Sequence, residues 1–223
     1  MPNAKRPGAA RIPRADGTAT RQRILEVAGE RFAAAGFADT TSKEIAGLAD
    51  VDLASINYHF TSRAGLYQAV LAEAHRRFVD MDDVERIAAS PLPPREKLTG
   101  LIRFLVGGAF RQELWPMTVL AREVLAPTVH MHRLQDQEVL PKLKLVLPIL
   151  SEITAIPATD PVLVRCLPSI AAPCAAIALV GQGKTPMGQL IGNGAEEQVV
   201  EQLSVFVLGG LDAIAARYLN GGW

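Results

Sequence analysis

Between Thr41 and Phe60 the chain has room for two short helices and a tight turn, and their apolar residues must tie three helices together. Thr41-Ser-Lys-Glu44 is a capping-box pattern, in which a Thr hydroxyl and a Glu carboxylate each satisfy an orphan amide of the other. Ile45, Ala46 and Ala49 then face inward and Asp50 occupies the turn. Asp52 is placed as the N-cap of the next helix, Leu53–Phe60. Upstream, Ile24, Val27, Ala28, Phe32 and Ala35 form one apolar stripe. The helix over 18–36 that carries it is capped by Thr18 or Thr20 and stopped by Gly36, with Phe37 as the apolar residue after a left-handed glycine cap. Downstream, Ser62 caps a helix through about Asp80, with Leu66, Val70, Leu71 and Ala74 on its core face.

Ser90-Pro-Leu-Pro-Pro94 breaks the chain and predicts a hinge before the remainder. Beyond it the patterns are helical, over 95–111, 114–126, 130–155, 160–181 and 196–219, with a loop over 182–195. No alternating strand pattern flanked by turn pairs occurs. The expected fold is all-α: a flexible basic arm over 1–17, a three-helix helix-turn-helix domain over 18–64, and a larger helical domain over 65–223. A length of 223 residues suits one large domain or two modest ones sharing a core. With 49% hydrophobic and 21% charged residues the chain reads as globular rather than disordered. Pro141, Pro148, Pro168 and Pro173 interrupt the apolar stretches, so no run is expected to reach the length of a membrane span. No apolar segment follows Lys5, Arg6, Arg11 and Arg14, which predicts a cytoplasmic protein without a secretory signal.

Formal charge is zero but unevenly spread. Lys5, Arg6, Arg11, Arg14, Arg21 and Arg23 face one acid, Asp16, in the first 23 residues, leaving the rest at net −5. Such an arm either meets phosphates or is simply a solvated tail. Cys166 and Cys174, if on one helix, lie about 12 Å apart along its axis, beyond disulfide reach. They read as small core residues.

The helix-turn-helix pattern carries the chemistry. A second helix lying in the major groove needs small or polar residues at its start, which Ala54, Ser55 and Asn57 supply. Asn57 can bond adenine twice, and Ser55 can bond a base or a phosphate. Tyr58 and His59 offer donors to backbone phosphates. Thr41, Ser42 and Lys43 start the preceding helix, where free amides favour an anion. Other readings stay open for three of these: Tyr58 can pack, His59 adjoins core residues, and Asn57 is at ease on any exposed helix.

The run Thr41-x-x-x-Ile45-Ala46-x-x-Ala49-x-Val51, followed by Ile56-x-Tyr58-His59-Phe60-x-Ser62-Arg63-x-x-Leu66-Tyr67, resembles the signature of the TetR family of regulators. The resemblance covers about the first 70 residues and adds Arg63 to the expected DNA contacts. Two positions depart from the pattern: Asp50 stands where the family usually has glycine, and Asn57 where many members have an aromatic residue. Ser55-Ile-Asn-Tyr-His-Phe60 resembles the CecR-like branch, as do Leu120-Ala-Arg-Glu-Val-Leu-Ala-Pro127 and Val139-Leu-Pro141. The resemblance implies a ligand-responsive regulator, a repressor by expectation, whose homodimer reads a palindromic double-stranded operator, with no cofactor. It also implies that the last two long helices pair with those of a second subunit. Val199, Leu203, Phe206, Gly210 and Ile214 form an apolar stripe that fits this pairing or, alternatively, packs on the chain's own core.

The ligand pocket is expected between the helices at 95–111, 114–126 and 130–155. Phe104 and Phe110 would be its apolar wall, and Trp115, Met117, Arg122, Glu123 and His130 its aromatic or polar contacts. Arg122 and Glu123 could equally form a structural ion pair. Such a pocket suits a small apolar or amphipathic compound.

Catalysis finds little support. Gly183-Lys184-Thr185 resembles the end of a P-loop, but Ala178 stands where its first glycine belongs and Pro186 blocks the helix that should follow. His130 and His132 point to different helix faces, so no metal site is expected. A third reading is a TetR-like scaffold that binds a ligand or protein without specific DNA binding. The intact 41–60 segment argues against it.

Overall fold

A computed structural model describes the backbone of residues 15–110, 114–180, 186, 188–189 and 196–221; the side chains at 15–16 and 108–110 lie outside that description. The expected arm over 1–17 and the P-loop-like run therefore fall almost wholly outside the described residues, as does the expected loop over 182–195. Among the described residues the chain is helical without strands. It divides into two compact units, Met1–Tyr67 and Gln68–Trp223.

The first unit holds α1 (Ala15–Asp39), α2 (Ser42–Leu48), α3 (Leu53–Phe60) and the start of α4 (Arg63–Phe78). Ile24, Leu25, Ala28 and Phe32 of α1 are buried, as are Ile45 of α2 and its C-cap Ala49, Ile56 and Phe60 of α3, and Leu66 of α4. Burying each of the Ile, Leu and Phe side chains stabilises by about 1.5–3 kcal/mol. Gly36 leaves the helical conformation at φ 86°, ψ 172°, so the long helical run stops there as expected, and a short second run carries α1 on to Asp39. A positive φ costs glycine nothing. Phe37, just beyond, stacks on Tyr67 at 4.7 Å between centroids.

The second unit contains the rest of α4, α5 (Met81–Ala89), α6 (Pro94–Phe110), α7 (Trp115–Leu125), α8 (Met131–Leu134), a π-helical turn (Gln135–Val139), α9 (Leu140–Thr154), α10 (Pro161–Val180) and α11 (Glu196–Leu219). Helix α6 packs among α9, α10 and α11. Leu98, Ile102, Val106, Leu150, Leu163 and Cys174 anchor the shared core. Helix α5 was not expected; Asp80 caps it by accepting from Asp82 N at 2.9 Å. The Ser90–Pro94 break joins α5 to α6 inside the second unit, so it is not the boundary expected of it. The division falls instead within α4.

The expectation on apolar length also changes. Pro161–Val180 and Glu196–Leu219 are both long and apolar enough to span a membrane. Pro168 and Pro173 sit inside α10 without ending it. Both cysteines are buried on α10, and burial pushes the Cys174 thiol up to about 11, which suits a core residue rather than a reactive thiolate.

Candidate nucleic-acid interface and ligand cavity

The reader is built from its caps. Thr41 Oγ1 accepts from Glu44 N at 3.1 Å, so its own proton stays available to an anion. Glu44 does not complete the expected box. Its carboxylate pairs with Arg31, which fastens α2 to α1. Asp50 takes the left-handed conformation at φ 50°, and Val51 N closes the turn on Ala46 O at 3.0 Å. Asp52 caps α3, accepting from Ser55 N at 2.7 Å and from Ser55 Oγ at 2.6 Å. The Ser55 hydroxyl, then its amide, holds the Asp52 carboxyl below the usual carboxylate range.

This geometry sorts the expected contacts. Ala54, Asn57 and Tyr58 share the exposed face of α3, and Tyr58 is 84% exposed. Lys43 on α2 and its N-cap Thr41 are exposed, with Ser42 half-buried between them. His59 is half-buried against the edge of Tyr58, at 4.9 Å between centroids. Ser55 is corrected: its proton is committed to Asp52, which leaves it an acceptor at most. Arg63 takes a structural part as well. Its guanidinium donates to Thr40 O at 2.7 Å and Phe37 O at 3.3 Å and lies 4.4 Å over the Phe37 ring, so it staples the end of α3 to the joint between α1 and α2. Leu53, 48% exposed at the start of α3, was not among the expected contacts. An apolar side chain there suits a thymine methyl, and only its exposure distinguishes it from a core leucine.

In the second unit a cavity of about 180 Å³ opens among α4, α5, α6, α9 and α10. Phe104 lines it, as expected. The other expected ligand contacts stand elsewhere. Trp115 is buried under the Arg77 guanidinium at 4.9 Å, and Met117 is half-buried on α7. Glu123 is buried and accepts from Thr128 N at 2.9 Å and Thr128 Oγ1 at 2.8 Å, while Arg122 is exposed. His130 lines a separate hollow of about 20 Å³. The Phe110 side chain lies outside the described residues. Of the three helices expected to frame a pocket, α6 and α9 line this cavity, whereas α7 packs on α10 and lines none of it. His75 and Lys142 were missed as its polar lining. A polar residue at a core-facing helical position was the available signal.

On α11 the inward ridge is Val200, Ser204, Val207 and Leu211. Of the stripe expected to pair with a second subunit, Val199, Leu203 and Ile214 are partly buried against the chain's own core. Phe206 is 73% exposed beside Val205 at 69%, and Gly210 faces open space. The stripe divides because α11 is apolar on more than one side.

A capped two-helix reader on a buried support, followed by a helical body enclosing an apolar chamber, defines a helix-turn-helix regulator with a separate sensing domain. Residues 24–70 match the bacterial regulatory proteins of the tetR family, and residues 94–211 match the C-terminal domain of the HTH-type transcriptional dual regulator CecR. The chain belongs to the TetR family of DNA-binding transcriptional regulators, in its CecR-like branch. No curated protein matches it.

Solved structures share its fold. A TetR-like transcriptional regulator from Rhodococcus sp. RHA1 is similar at 19% identity and TM-score 0.61, over 95% of this chain and 100% of that one. A putative TetR-family regulator from Mesorhizobium loti MAFF303099 is similar at 14% identity and TM-score 0.60, over 89% and 97%. The TetR-family regulator PfmR from Thermus thermophilus is similar at 16% identity and TM-score 0.60, over 83% and 97%.

Proposed function

We propose that this protein is a cytoplasmic, ligand-responsive repressor, acting by binding rather than catalysis, whose homodimer reads a palindromic operator through paired α3 helices. The observation that carries the reading is the exposed face Ala54–Asn57–Tyr58 on a helix capped at its start and stapled after its end. In this assignment Asn57 reads a base and Leu53 and Ala54 meet apolar base edges. Thr41, Ser42, Lys43, Tyr58 and His59 hold phosphates. Two-fold pairing through the outer faces of α10 and α11 doubles the short site that one α3 can read.

The cavity holds the effector. His75 and Phe78 of α4 line it, and Arg63 at the other end of the same helix carries the staple. A ligand that shifts α4 changes the reader only through its different affinity for the two arrangements. Equal ligand affinity for free and operator-bound protein would refute this coupling.

Selection of genomic fragments with the purified protein tests the function; no enriched sequence, with or without cell extract, favours the scaffold reading instead. On the selected site, Lys43→Ala should weaken binding to all sequences. Asn57→Ala should relax discrimination at one or two positions by about 1–3 kcal/mol. Equal losses on specific and random DNA would remove Asn57 from base reading.

A further inference from the structure

Phe78, Leu101, Phe104, Val146 and Ile170 give the cavity an apolar wall, and His75 and Lys142 are its polar side chains among the described residues. The two are not equivalent. An ammonium has three N–H donors. Lys142 has three partners: the Glu138 carboxylate at 2.9 Å, the Glu138 carbonyl at 3.0 Å and His75 Nδ1 at 3.3 Å. Its donors are committed and its ammonium is paired with a carboxylate. Glu138 is held in turn by Arg76, 3.6 Å away. The π-helical turn Gln135–Val139, a feature that recurs at functional sites, carries Glu138 and places it one turn before Lys142.

Facing an ammonium, His75 must present Nδ1 as an acceptor, so the ring is neutral and its proton sits on Nε2. Burial, and then the Lys142 charge, push the His75 pKa down to about 4, consistent with that state. No partner for Nε2 is found among the described residues. The lining therefore offers one uncommitted donor in an apolar chamber whose ammonium is already paired. Its volume, about 180 Å³, is close to the roughly 150 Å³ of an apolar cavity that holds benzene.

We propose that this cavity takes an uncharged apolar molecule of about one-ring size bearing a single acceptor oxygen, which His75 Nε2–H reads, and that the Lys142–Glu138 pair excludes anions. The proposal rests on the cavity being the effector site. A carboxylate could reach Lys142 only by displacing Glu138, at the desolvation penalty of moving a paired buried charge. A carbonyl or ether oxygen needs no such displacement.

Acetophenone, ethylbenzene and benzoate present one ring with an acceptor, without one, and with a charge. Titrated calorimetrically into the full-length protein, acetophenone should bind about tenfold tighter than ethylbenzene, as one buried hydrogen bond implies, with benzoate weakest. In His75→Phe that preference should vanish while ethylbenzene affinity is kept. Benzoate binding tightest would overturn the ion-pair argument and leave the cavity a ligand site. Equal binding of acetophenone and ethylbenzene to the natural chain would overturn the His75 donor. Binding of none would sink both the proposal and the effector-site reading beneath it. Imidazole 15N spectra of the natural chain give a second check that needs no variant: an Nδ1–H tautomer would overturn the proposal.

Discussion

Arg63 shows how one residue can fit a motif and take a structural role besides. Its place after Phe60-x-Ser62 pointed to DNA, and its Nη1 donates to the Thr40 and Phe37 carbonyls. No sequence pattern announces a partner 23 residues away. Arg63→Met should cost about 2 kcal/mol in thermal unfolding, the loss of charged hydrogen bonds to backbone. Lys should not restore it, lacking the planar fork. Unchanged stability with uniformly weaker DNA binding would return Arg63 to the phosphate contacts. The exposure of Asn57 and Tyr58 was legible because they stand three and four residues after Ala54 on one helical face. Ser55 was not, since its hydroxyl answers to the cap three residues earlier. His75 carries a pH signature. Its folded value of about 4 lies below the ordinary 6.5, so between them the unfolded chain binds the extra proton. Stability present above about pH 6.5 is therefore lost as pH falls toward 4, by up to about 3 kcal/mol. Urea denaturation at pH 7 and pH 5 should show the loss in the natural chain and much less of it in His75→Phe.

At the scale of elements, α6, α7, α10 and α11 were readable from periodicity because each has a long apolar face with proline, glycine or polar residues following it in the sequence. Helix α5 was hidden, since Asp80 caps it from within the charged run Asp80–Arg86 and only Val84 of its nine residues is buried. The π-helical turn was hidden too, for one extra residue in a turn leaves local apolar spacing almost unchanged. The joint between α3 and α4 is the tightest backbone approach near the reader. Thr61 is left-handed at φ 68°, and a Cβ at Gly65 would overlap the Phe60 carbonyl oxygen. Gly65→Ala should accordingly destabilise the fold by about 2 kcal/mol or more, seen as a lowered Tm. An unchanged Tm would show that this turn opens without cost.

For the whole molecule, α10 exposes Val164 and Leu179, and α11 exposes the adjacent Val205 and Phe206, apolar side chains that pairing with a second subunit would cover. Phe206→Glu should yield a monomer in sedimentation velocity with its helicity intact, and should abolish cooperative operator binding. A dimer that survives would place the interface elsewhere. The staple on α3 reaches beyond stability. Held by Asp52 at its start and by Arg63 past its end, the helix is ordered before it meets DNA. Association then includes no coupled folding of the reader. Its heat-capacity change should scale with the apolar surface covered in the groove alone.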